Sequence, residues 1–123
     1  MNFNNTLTKH LDAMSNKQFE IFMSTVCADK ITLIMPNGSL ISKYEDFYEL
    51  HKQWFSDSDW SIDYTILNKI ESSGLSSALL SIDYKDLDEN GKPVSMTYYL
   101  NLMFEEIQNE WLLIHDQNTI YKK

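Results

Sequence analysis

Near the end of the chain, the segment Trp111-Leu112-Leu113-Ile114-His115-Asp116-Gln117-Asn118-Thr119 sets an acid and an amide two residues apart in a largely apolar stretch. Side chains alternate along a β-strand, so Asp116 and Asn118 share one face, together with the apolar Leu112, Ile114 and Ile120. A carboxylate on an apolar face loses hydration. Its pKa then rises, and it can take a proton as a general base or donate one as a neutral acid. Asn118 beside it would orient a carbonyl or hydroxyl of a ligand. The structural alternative is that Asp116 only hydrogen-bonds Tyr64, Tyr84, Tyr98 or a backbone amide.

The other groups able to do chemistry are few. His10 and His51 fall on apolar helical stripes, where either could meet Asp116 as an acid-base partner or sit satisfied in a core. His51 is the partner expected for Asp116. Cys27, the only cysteine, lies in the apolar run Thr25-Val26-Cys27-Ala28 and reads as a buried structural thiol. The histidines have no ligand spacing with Cys, Asp or Glu, so no metal is expected. The glycines are too scattered for a phosphate-binding loop, so no nucleotide cofactor is expected either. Trp54, Trp60, Tyr64, Tyr98 and Leu102 are candidate walls of a ligand pocket, with Asn118 as its polar member; the competing reading is plain core.

These residues must be positioned by the elements around them. The 123 residues suffice for one core, and a hydrophobic fraction of 43% is too high for a disordered chain, so residues 1–123 are expected to form a single domain. A net charge of −8, with every basic residue a lysine, disfavours nucleic acid as a partner. The opening MNFNNTLTKHLDAM shows neither a basic leader nor an apolar signal core, and no apolar run approaches the roughly 18 residues of a membrane span. A cytoplasmic protein without membrane association is expected.

Two helices open the chain, one with Leu7, His10, Leu11 and Met14 on its apolar face, the other with Phe19, Phe22, Met23 and Val26. Ser15 to Gln18 and Ser42 to Glu45 have the form of capping boxes. Pro36-Asn37-Gly38 turns a short hairpin, and a third helix follows with Phe47, Leu50, His51 and Trp54 on one stripe. Four alternating segments then form an antiparallel meander whose inner face carries Trp60, Ile62, Tyr64 and Ile66; Ala78, Leu80, Ile82 and Tyr84; and Tyr98, Leu100, Leu102 and Phe104. In the last strand Trp111, Leu113, His115 and Gln117 have the opposite parity to Asp116 and are too apolar for open solvent. A homodimer covering that outer face is expected.

This order of elements resembles the nuclear transport factor 2-like superfamily, in particular its SnoaL-like, ketosteroid-isomerase-like branch, from about residue 4 to 120. Ala28-Asp29 before the first strand, Pro36-Asn37-Gly38 after it and the closing Trp111-x-x-x-His115-x-x-x-Thr119 look like its landmarks. The resemblance implies an α+β, cystatin-like cone, three N-terminal helices packed on a curved antiparallel sheet. When residues 11 to 39 are aligned with ketosteroid isomerases, the general base falls on Met35 and the oxyanion-hole tyrosine on Leu11. A thioether takes up no proton at neutral pH and an aliphatic chain donates no hydrogen bond, so that particular chemistry is not expected. Three functions remain open: binding of a small apolar or polycyclic ligand in the cone, cyclase, isomerase or dehydratase chemistry with Asp116 as base, and a non-catalytic dimeric interaction module.

Overall fold

The computed structural model describes residues 2–122. Three helices, α1 (Phe3–Ser15), α2 (Phe19–Ser24) and α3 (Tyr44–Ser56), pack on one face of a sheet built from β1 (Thr32–Ile34), β2 (Leu40–Ile41), β3 (Ser61–Ile70), β4 (Leu75–Leu87), β5 (Pro93–Ile107) and β6 (Glu110–Lys122). The strand order is β2-β1-β6-β5-β4-β3. The meander β3 to β6 is antiparallel, as its alternating patterns predict. The sheet as a whole is mixed, which corrects the wholly antiparallel expectation. β1 runs parallel to β6, pairing Thr32 with His115 and Ile34 with Gln117.

Apolar spacing explains the helices. Leu7, His10, Leu11 and Met14 bury the inner face of α1, and Phe47, His51 and Phe55 that of α3. Asn2 caps α1, its side chain accepting from the Asn5 amide at 2.8 Å. Neither expected capping box forms. Lys17 takes a left-handed φ of +56°, so the chain turns one residue early; Ser15 stays inside α1 with its hydroxyl unpartnered, and Gln18 and Lys43 occupy the next two N-cap positions without side-chain bonds.

The inner sheet face follows the predicted parity in β4 and β5: Ala78, Leu80, Ile82, Tyr98, Leu100, Leu102 and Phe104 are all buried. It fails in β6. Phe104 pairs with Leu113 and Met103 with His115, which leaves Ile114 as an extra residue, a bulge. The bulge sits where Leu113 also binds the chain after α2, its amide donating to the Thr25 carbonyl at 2.7 Å and its carbonyl accepting from the Cys27 amide at 2.9 Å. Inserting one residue reverses the parity before it. Leu113, expected outside, is therefore fully buried, and Trp111 turns inward onto Phe3, with ring centroids 5.7 Å apart. Leu112, expected inside, pairs with Glu105 on the outer face. Only His115 and Gln117 of the four expected interface residues lie on the outer face, beside Met103 and Asn101.

Candidate functional site

The closed end of the cone is filled. Phe3, Leu7, His10, Phe104 and Leu113 pack there without exposure above 3%, and Phe104 meets both Phe3 and His10 edge-on. Thr25 Oγ1 donates to the Phe22 carbonyl at 2.7 Å, so it accepts from His10 Nδ1, also at 2.7 Å. Burial, reinforced by His51, lowers the His10 pKa to about 3. His10 is a satisfied core histidine and does not meet Asp116.

At the other end a cavity of about 180 Å³ remains. Its deep wall is Phe22, Leu33, His51, Tyr98, Leu100 and Asp116, all buried, while half-buried Met35, Pro36, Leu50, Trp54, Met96 and Asn118 form the mouth. Met14 and Tyr84 complete it. The strand order puts these groups together: β6 lies between β1 and β5, so Asp116 faces the core between Leu33 and Leu102, and α3 contributes Leu50, His51 and Trp54 to the wall.

Asp116 is 7% exposed. Asn118 Nδ2 donates to its Oδ1 at 3.0 Å and to the Ile34 carbonyl at 2.9 Å, which ties the pair to β1. Oδ2 makes no hydrogen bond among the described residues. Desolvation pushes the Asp116 pKa up to about 7, with the Asn118 bond opposing it. The candidate partner His51 is in the same cavity. Its Nδ1 donates to the Phe47 carbonyl at 2.8 Å, leaving Nε2 as an acceptor, and burial lowers its pKa to about 4. His51 is thus neutral at physiological pH, stacked between Phe22 and Phe47 at centroid distances of 5.0 and 4.1 Å. No hydrogen bond joins it to Asp116 among the described residues. Burial also raises the Tyr98 phenol, with help from Asp116 and Tyr84, and takes the Tyr84 phenol to about 12 with help from Asp86.

Of the residues singled out as walls, Trp54, Tyr98 and Asn118 line the cavity and three do not. Trp60 is buried behind Trp54, stacked at 3.9 Å with its Nε1 donating to the Trp54 carbonyl at 2.6 Å, so it fixes the ring that faces the cavity. Tyr64 reaches Asp12 of α1 instead, at 3.4 Å. Leu102 is wholly buried in the packed core. Strand parity selects the inner face but not the place along it where helices leave space. Met14 and Met96 are lining residues that sequence reasoning missed, and Met35, aligned with the isomerase base, is at the mouth, whereas Leu11 is buried in the core. Among the described residues no group of three or more His, Cys, Asp or Glu could hold a metal ion, and no helix is long and apolar enough to cross a membrane.

The fold recurs in solved structures of low sequence identity. A ketosteroid isomerase-like protein from Erwinia carotovora atroseptica superposes with a TM-score of 0.81 at 11% identity, over 98% of this chain and 94% of that one. A protein with a cystatin-like fold from Caulobacter vibrioides gives 0.79 at 17%, over 97% and 87%. The association domain of C. elegans CaMKII gives 0.65 at 21%, over 94% and 90%. No curated protein matches the sequence. The SnoaL-like domain family matches residues 3–120, nearly the whole chain. With the helix order, the mixed curved sheet and the cavity beside α3 all in place, the chain belongs to the SnoaL-like family.

Proposed function

We propose that the chain binds a small, largely apolar molecule in the cavity beside α3, with Asp116 as its polar contact. The observation that carries this reading is a buried carboxylate with one unbonded oxygen in the wall of a cavity of about 180 Å³. Native cores rarely leave such space, and the free oxygen opens onto it rather than being sealed in the core. An apolar cavity of roughly 150 Å³ admits benzene, so this one suits a single ring rather than a polycyclic skeleton. Three of the six methionines, Met14, Met35 and Met96, line it, and their flexible thioethers adapt to a ligand's shape. Methyl-labelled methionine gives the test. Benzyl alcohol should move the methyl resonances of Met14, Met35 and Met96 in a saturable way while Met23 and Met103 stay put. Uniform small shifts, or none, would remove the reading.

Catalysis is a second reading, favoured by the Asp116 pKa of about 7, which suits a general base at neutral pH. His51 would then be a hydrogen-bond acceptor for the substrate rather than an acid, since Phe47 holds its proton on Nδ1. In a turnover assay with cyclase, isomerase or dehydratase substrates, Asp116→Asn should abolish any activity found. An undiminished rate in that variant would exclude the role.

Self-association across the outer sheet face is a third reading. It rests on Tyr99 and Tyr121, 39% and 47% exposed and stacked at 4.2 Å, with Leu79, Asn101 and Gln117 beside Tyr99. That one structural relative is an association domain adds support. Sedimentation at micromolar concentration should show a dimer that Tyr99→Glu dissociates; a monomer throughout would contradict it.

A further inference from the structure

The charges around the cavity are one-sided. Among the described residues, Asp116 is the only one of the lining that carries a charge near neutral pH. Among the described residues no lysine reaches the lining, the chain has no arginine, and His51 is held neutral by burial, which outweighs the opposing effect of its bond to Phe47. Of the lining's polar atoms, Oδ2 of Asp116 and Nε2 of His51 are acceptors, Asn118 spends both amide hydrogens on Asp116 and Ile34, the Tyr84 hydroxyl donates to Asp86, and the Tyr98 hydroxyl remains as a neutral donor. Around them stand the faces and edges of Phe22, Trp54, Tyr84 and Tyr98. The ring of Trp54 is held in place by Trp60, which stacks on it with an interplanar angle of 8°. Acceptors, aromatic rings and one carboxylate without a counter-ion form a site that attracts a cation and repels an anion.

We propose that the cavity's ligand is a small amine bound as its ammonium ion, the nitrogen on Asp116 and the apolar body against the methionines and Trp54. The inference rests on the reading that the cavity binds a one-ring molecule, and adds the charge of that molecule. A protonated amine supplies a donor to Oδ2 and cancels the charge that Asp116 places in the wall. A carboxylic acid would bring a second negative charge, and an alcohol would leave Asp116 uncompensated.

The groups that face Asp116 decide how binding depends on pH. α3 presents His51, neutral above about pH 4. β5 and β4 present Tyr98 and Tyr84, both held protonated through the neutral range. The lining residues from α1, α2 and β1, namely Met14, Phe22 and Leu33, carry no charge. Between about pH 6 and 8, Asp116 therefore titrates alone, and amine affinity follows its ionisation.

Calorimetry with benzylamine, benzyl alcohol and benzoate separates the possibilities. At pH 8 benzylamine should bind about tenfold or more tightly than benzyl alcohol, with benzoate weakest. The amine's advantage should shrink as the pH falls to 6, and approach unity in Asp116→Asn, whose fold is checked by near-ultraviolet circular dichroism. Equal binding of alcohol and amine at pH 8, or an amine preference that survives in Asp116→Asn, would overturn the proposal alone. Failure of all three ligands to bind would overturn it together with the pocket reading.

Discussion

The two ends of the cone are built from the same strands and treat their buried polar groups in opposite ways. At the closed end His10 finds Thr25, Thr25 finds the Phe22 carbonyl, and Phe3, Phe104 and Leu113 fill the space around them. At the open end, one residue after His115 has bonded Thr32 of β1, the strand offers Asp116 one partner among the described residues and leaves its second oxygen to a cavity. The bulge at Ile114 separates the two regimes, turning Leu113 and Asp116 to the same face although they are three residues apart. A buried histidine with its hydrogen bonds made contributes to a stable core. A buried acid without them detracts from stability, and is retained where a ligand supplies what is missing.

Emptying the closed end should have the largest effect. Phe104→Ala removes a fully buried ring that contacts Phe3 and His10, and should cost about 3–5 kcal/mol in urea unfolding. A cost below about 1 kcal/mol would mean that this end is not the packed one.

At the open end the sign should reverse. The Asp116 pKa is about 7 in the fold against 3.8 unfolded, so between those values the native state holds a proton that the unfolded chain releases, and stability falls as the pH rises. Asp116→Asn keeps an acceptor for Asn118 and removes the titration. It should match the parent near pH 4, gain on it up to pH 7 and be more stable by on the order of 3 kcal/mol at pH 8. His10 and His51 act the other way: their lowered pKa values make the parent lose stability as pH falls below 6.5, the unfolded rings binding protons that the native ones refuse. The parent's thermal midpoint should therefore peak near pH 6.5 to 7, and the variant's should hold its maximum to higher pH.

The smallest effect should come from the cavity's mouth. Met96→Leu, at a half-buried position beside a void, should change stability by less than about 1.5 kcal/mol, yet alter benzyl alcohol affinity because it reshapes the lining. An affinity identical to the parent's would place the ligand elsewhere.

Much of this contrast was legible in the sequence where strands run without interruption. The inner faces of β4 and β5 and the inward turn of Asp116 and Asn118 follow from alternation alone. Trp111 and Leu113 were assigned to the wrong face because a bulge leaves no signature in composition; it arises from the contact of Leu113 with Thr25 and Cys27, far apart in sequence. Trp60, Tyr64 and Leu102 have inward parity, but parity carries no information about where along the cone α3 leaves a gap. The methionines of the lining come from α1, β5 and the turn after β1, and nothing local marks their convergence. Ser15 has the right residues around it for a capping box, but the left-handed turn at Lys17 decides where α2 begins.

The central claim, that the open end holds an under-satisfied carboxylate while the closed end is complete, is tested most directly by following the side-chain carboxyl carbon of Asp116 by NMR as the pH is varied. The account predicts a titration midpoint near 7, moving down when benzylamine is present at saturation. A midpoint near 3.8, unmoved by the amine, would show a solvated or fully bonded carboxylate and contradict it.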